Sequence, residues 1–215
     1  MQRKPDPEGF LELWPTLLLR RELPGHEAAN AALGQLIAAD EAANPDLTTD
    51  YRAENLLGRA HPVLDWLRGC INKTVVDYLK RCGIDYPLSW TLQGWANVNR
   101  FGDYHDLHNH PHSYLSGTYY VAVPAQPSRE TLPGRADRTP GAIAFFDPRA
   151  QANMGAIKGD PQIEPEHLVL PRAGTILLWP SFLHHLVHPN LAREPRVSVS
   201  FNVLVKAGEG ELPRQ

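Results

Sequence analysis

Residues 88–99 alternate with a period of two. Leu88, Trp90, Leu92, Gly94, Ala96 and Val98 fall on one side, and Ser89, Thr91, Gln93, Trp95, Asn97 and Asn99 on the other. One apolar and one mostly polar side is the mark of a half-buried strand. Residues 196–205 repeat the pattern: Val197, Val199, Phe201, Val203 and Val205 alternate with Arg196, Ser198, Ser200, Asn202 and Leu204. Shorter apolar stretches predict strands over 115–123, 142–147, 167–170 and 175–179, and a brief one near 16–19. The first part of the chain has a different period. Pro24-Gly25-His26-Glu27 opens an Ala-rich run to about Ala43, a helix by propensity. After a loop over 45–57, His61-Pro62 opens a second helix. In it Val63, Leu67, Cys70, Ile71, Val75, Tyr78 and Leu79 recur at helical spacing, and Gly83 is placed to end it.

The expected fold class is therefore α+β, mainly β with N-terminal helices. A helical support region over 1–87 precedes a strand-rich core over 88–206 and a short tail over 207–215, all as one structural domain. Short strands separated by Gly/Pro turns favour a sandwich or jelly roll. Polar loops over 125–141 and 148–162 interrupt the strands; loops of that length are lids or binding loops as readily as plain surface.

Composition narrows the function. The chain has 215 residues, with Lys+Arg 21 against Asp+Glu 24 and a formal charge of -3. It lacks the basic footprint of a nucleic-acid binder, so no nucleic-acid partner is expected. No apolar run approaches the ~18–20 residues of a membrane span, and the N-terminus has no apolar signal segment, so no membrane association is expected. Two cysteines, Cys70 and Cys82, make no disulfide framework and fit reduced thiols in a cytoplasmic setting.

Histidine changes the picture more. His105, His108, His110 and His112 lie within eight residues, and His184, His185 and His188 within five. In a strand, residues two apart share a side, so His108 and His110 can hold one metal ion from one strand end. The second cluster follows the apolar strand Gly174-Thr175-Ile176-Leu177-Leu178-Trp179 and can supply a third ligand. Asp106 is also two residues from His108, which leaves Asp106/His108/His185 as another arrangement. Arg196 and Ser198 share the polar side of the last strand with no acidic neighbour on it. A guanidinium there needs an anionic partner. Either a carboxylate ligand, bound by Arg196 and Ser198 together, or an acidic residue elsewhere in the fold would serve.

These segments together resemble the 2-oxoglutarate- and Fe(II)-dependent oxygenases, over roughly 95–205. They are Asn99-Arg100-Phe101-Gly102-Asp103-Tyr104-His105-Asp106-Leu107-His108-Asn109-His110-Pro111, Ser116-Gly117-Thr118-Tyr119-Tyr120, Pro180-Ser181-Phe182-Leu183-His184-His185 and Arg196-Val197-Ser198. The resemblance implies a double-stranded β-helix (jelly-roll) core, Fe(II) as metal and 2-oxoglutarate as co-substrate. It implies His108 as first ligand, His110 in the place of the second and His185 as the distal one. Arg196 and Ser198 match the clamp on the far carboxylate of 2-oxoglutarate. Tyr120 matches a strand tyrosine that hydrogen-bonds the keto acid, with Asn99 beside it. The implied reaction is hydroxylation of a small molecule or a protein side chain, releasing succinate and CO2. The departure is His110, where the superfamily usually has a carboxylate. Three neutral imidazoles leave the site more positive by one charge and also suit Zn(II).

Two rivals follow from that departure. A three-His Zn(II) site activating water would make a hydrolase or lyase, with no evident task for Arg196. A cupin-like, non-catalytic metal-binding module fits Gly102 and His108-x-His110 but lacks the acidic residue expected after them.

Overall fold

A computed structural model describes residues 6–10, 13–44, 55–127, 139–149, 157, 160 and 164–206. The middles of both polar loops, most of the loop before residue 57 and the tail from 207 lie outside the described residues. Helix α1 runs over His26–Ala43 and α2 over Pro62–Arg81. The strands are β1 Leu19–Glu22, β2 Ser89–Asn99, β3 His105–His108, β4 Leu115–Ala122, β5 Ile143–Phe146, β6 Glu166–Val169, β7 Thr175–Pro180, β8 His185–Val187 and β9 Arg196–Lys206. They form a five-stranded sheet in the order β1-β7-β4-β9-β2 and a four-stranded sheet in the order β3-β8-β5-β6, with every pair antiparallel.

The helices begin and end where local chemistry demands. In α2 the His61 ring nitrogen accepts from the Val63 amide, and Pro62 occupies the first turn, where its missing N–H costs nothing. Asp65 in the first turn and Lys80 and Arg81 in the last complement the helix dipole. Gly83 follows with φ 82°, a left-handed conformation that stops the helix. Gly25 plays the matching part at the start of α1, with φ 73°.

The two helices cover one face of the five-stranded sheet. Leu33 and Ile37 of α1 and Leu64, Leu67, Ile71 and Val75 of α2 pack with Ala96 and Val98 of β2 and Val199, Phe201 and Val203 of β9. Each such side chain contributes roughly 1.5–3 kcal/mol on leaving water. This is the apolar side read in residues 88–99 and 196–205. The opposite, polar side of β2 and β9 therefore faces the second sheet. There Tyr120, Leu177 and Trp179 meet Ile143, Phe145, Val169 and Val187 in a smaller apolar cluster. A cavity opens beside this cluster, sharing Tyr120, Ile143, Trp179 and Val187 with it and adding polar groups of β2 and β9.

Two expectations shift. The strand expected near 16–19 lies at Leu19–Glu22, where it pairs with β7 as the edge of the five-stranded sheet. Its charged residues hid it. The N-terminal region thus adds a strand to the core sheet, besides supporting it with helices. The strand carrying His108 ends at His108 itself, so His110 lies beyond it in a turn.

Candidate active site

A cavity of about 700 Å³ opens between the sheets, lined among others by Trp95, His108, His110, Tyr120, His185, Arg196 and Ser198. His108 closes β3 and His185 opens β8, and the two are paired across the strands. His110 reaches the same point from the following turn. Its amide donates to the Ser181 carbonyl at 3.0 Å, and its own carbonyl accepts from the Ser113 amide at 3.1 Å. The Ser181 hydroxyl in turn donates to the Ser113 carbonyl. The turn after β7 and the turn after β3 are thereby tied together, which brings the two sequence clusters into one place.

One ligand nitrogen from each of His108, His110 and His185 lies within 4.8 Å of the others. It is the one such group of His, Cys, Asp or Glu among the described residues. Backbone carbonyls orient two of the rings. The Nδ1 of His108 sits 2.6 Å from the Asp106 carbonyl, and that of His185 sits 3.0 Å from the Leu183 carbonyl. A proton on Nδ1 in each bond leaves Nε2 bare, the form in which imidazole binds a metal. Burial, with the neighbouring His108, pushes His185 down to about 3 and His110 down to about 4. Both stay neutral near pH 7. Trp179 and Phe145 wall the His185 ring, with centroids 4.9 and 5.9 Å away, and Trp95 stands 6.0 Å from His110.

Arg196 is 2% exposed. Its Nη2 donates to the Asn99 side-chain oxygen at 2.7 Å and its Nη1 to the Gly141 carbonyl at 3.3 Å, while its Nε has no partner. Among the described residues no carboxylate pairs with it. The acidic partner that the sequence left open is not found there. Burial holds the guanidinium below the usual arginine range, with Tyr120 acting in the other direction. Burial pushes the Tyr120 hydroxyl up to about 12, so it stays a donor. Ser198 is buried and directly paired with Tyr120 across β4 and β9.

The other singled-out residues fall outside the triad. Asp106 is exposed and lines the cavity without joining the three imidazoles. Asn99, 1% exposed, lies behind the cavity lining and holds Arg196. His105 lies 3.2 Å from the Asn99 amide nitrogen. His112 and His184 are exposed, and His188 faces Glu166 at 3.9 Å. Arg149 closes on Asp147 as a surface ion pair. Sequence reasoning missed Asn190 and Gln126, which lie in loops without periodicity, and Trp179, which looked like plain strand core.

Residues 93–202, just over half of the chain, match a family model described as "Putative 2OG-Fe(II) oxygenase". The chain belongs to this family, the enzymes that use Fe(II) and 2-oxoglutarate to carry out oxidations. A search of curated proteins finds no match. Among solved structures, a Pseudomonas putida prolyl-4-hydroxylase aligns with TM-score 0.56 and 15% identity, over 89% of this chain and 88% of its own. HygX from Streptomyces hygroscopicus, solved with nickel and 2-oxoglutarate bound, aligns with TM-score 0.54 and 14% identity over 87% and 82%. AviO1 from Streptomyces viridochromogenes Tue57 aligns with TM-score 0.53 and 12% identity over 92% of each chain. At such identities the likeness is one of fold. No helix among the described residues is long and apolar enough to cross a membrane.

Proposed function

We propose that His108, His110 and His185 hold the Fe(II), and that Arg196 and Ser198 bind the far carboxylate of 2-oxoglutarate, with Tyr120 as a further donor. The observation that carries this reading is the pairing, in one cavity, of three converging imidazoles with a buried guanidinium that has no acidic partner among the described residues. Both halves fit the group. The donor set is nitrogen-rich and suits a divalent transition metal. The unpartnered Nε is what a buried Arg shows when its anion comes from outside the chain. With all three ligands uncharged, the metal's charge stands undiminished beside that of Arg196, and a dianionic co-substrate offsets it. The Zn(II) hydrolase and cupin readings leave Arg196 without a task, and the family supports neither.

When bound, Fe(II) with 2-oxoglutarate supplies the oxidant for hydroxylating an unactivated C–H bond, with release of succinate and CO2. The chain's own residues do the rest. Asp106 and Leu183 carbonyls fix the tautomers of His108 and His185. Arg196, Ser198 and Tyr120 bind and orient the keto acid. Trp179, Phe145 and Ile143 keep water from the buried side of the cavity. Gln93, Trp95 and Asn202 lie on the cavity wall further along β2 and β9 from Asn99 and Arg196, where we place the substrate, a small molecule or a protein side chain.

We further propose that the two facing sheets are the double-stranded β-helix, with 1–87 as its support, 88–206 as the core and 207–215 as a tail. Cys70 and Cys82, neither of them in a disulfide, are in keeping with a cytoplasmic setting.

Anaerobic addition of Fe(II) and then 2-oxoglutarate tests the site. The wild type should develop a visible metal-to-ligand charge-transfer band, and His185→Ala should not. A wild type that binds Fe(II) without giving the band would overturn the proposed keto-acid site.

A further inference from the structure

Around Arg196 the protein places amides where acids would be expected. Asn99 pairs directly with Arg196 across β2 and β9. A guanidinium has only donors, so the Asn99 side-chain carbonyl must be the group facing it at 2.7 Å. The amide nitrogen then points the other way and donates to the His105 ring nitrogen at 3.2 Å. Neither end of this side chain is free to turn.

The main chain of Asn99 is held as firmly. Its carbonyl accepts from the Asn190 amide at 2.9 Å, and Asn190 is itself 1% exposed. Asn190 Oδ1 accepts from Gln126 at 2.7 Å and from the Ala192 amide at 3.2 Å. Gln126 Oε1 accepts from the Leu191 amide at 2.9 Å. Gln126 also packs against Gly141, where an added Cβ would lie 3.1 Å from its Cδ, and the Gly141 carbonyl is the other acceptor for Arg196. Asn190 and Gln126 thus hold Asn99 and Gly141, the two acceptors of Arg196, through uncharged groups among the described residues.

The choice of amide over acid has an electrostatic consequence. Asp and Asn are nearly the same shape. At 2.7 Å and out of water, a carboxylate would satisfy the guanidinium with a charge-assisted pair. It would also repel an anion approaching the same guanidinium. A neutral carbonyl orients the guanidinium by its dipole and leaves the net charge in place.

We infer that Asn99 is a positioning residue: its side-chain carbonyl aims the guanidinium of Arg196 while leaving the charge uncompensated for the co-substrate's far carboxylate. This rests on the proposed keto-acid site. It assigns Asn99 an action through Arg196 in place of direct contact with the keto acid.

The test compares wild type, Asn99→Asp, Asn99→Ala and Arg196→Ala. Each is titrated calorimetrically with Mn(II) alone, then, Mn(II)-loaded, with 2-oxoglutarate, and each is melted thermally. Asn99→Asp should weaken 2-oxoglutarate by at least about tenfold, with Mn(II) affinity within about twofold and a melting point no lower than wild type. Asn99→Ala, which loses the aim but keeps the charge, should weaken it less. If Asn99→Asp binds 2-oxoglutarate as wild type does while Arg196→Ala does not, the inference falls and the keto-acid site stands. If Arg196→Ala itself binds normally, the keto-acid site is wrong. If Asn99→Asp loses Mn(II) affinity and melting point along with 2-oxoglutarate, Asn99 is only structural. Should Asn99→Asp not fold, Asn99→Ala decides: weaker 2-oxoglutarate binding with unchanged Mn(II) affinity supports the inference, and unchanged binding overturns it.

Discussion

Gly117 shows how far a single atom is constrained near the cavity. It lies mid-strand in β4, between β7 and β9. A Cβ built on it would sit 2.3 Å from the Phe201 ring and 2.6 Å from the Leu177 carbonyl oxygen. The ring can give way; the backbone carbonyl cannot without disturbing the pairing of β4 with β7. Gly117→Ala should therefore cost about 1–3 kcal/mol, the usual penalty of overpacking. Urea unfolding followed by tryptophan fluorescence measures it, and a variant as stable as wild type would show that the sheet yields there. Nothing in the sequence pattern marks this constraint. Gly117 sits in an otherwise unbroken strand pattern, and only the partner strands reveal what fills its space. Arg196 is the opposite case. One charged residue on a strand of Val, Ser and Phe announced a buried cation from the sequence, although not that its acceptors would be an amide and a carbonyl.

The elements were legible to different degrees, for physical reasons. The long strands β2 and β9 each carry about five alternations, enough to fix both strand and facing. The two helices carry repeats and terminal signals. The strands β3 and β8 have four and three residues, too few to show a period, and they exist because β8 pairs with β5 and β3 with β8. That pairing brings His108 opposite His185, so the metal-binding half of the candidate site was readable as residues and unreadable as geometry. β1 lies about three residues beyond its predicted place because Arg20, Arg21 and Glu22 read as loop, whereas edge strands tolerate charge. Charge also pins this edge to the helical layer. Arg21 donates to Asp77 of α2 at 2.7 Å and Lys73 to the same carboxylate at 3.1 Å, and the two cations, Arg21 foremost, hold the Asp77 carboxyl below its usual 3.8. A carboxyl lowered in the folded state stabilises the fold above the unfolded-state value, and that contribution disappears as pH falls through the folded one. The stability difference between wild type and Asp77→Asn should thus be full near neutral pH and close below about pH 4. Urea titrations at a series of pH values check this; a difference independent of pH would mean that the ion pair contributes nothing.

On the scale of the whole molecule, the two faces of one sheet divide the labour. The outer face of the five-stranded sheet, covered by α1 and α2, supplies apolar burial. The inner face is thereby released to carry Asn97, Asn99, Arg196 and Ser198, polar groups that no simple core would hold. The four-stranded sheet closes over them and brings its histidines. We propose that this closure sets one ion and one keto acid side by side. A crystal structure of the Mn(II)-loaded protein soaked with a non-reactive 2-oxoglutarate analogue tests it most directly. The ion should be bound by His108, His110 and His185, and the analogue's far carboxylate should be in hydrogen-bond contact with Arg196 and Ser198. Metal bound elsewhere, or a far carboxylate lodged away from Arg196, would contradict it.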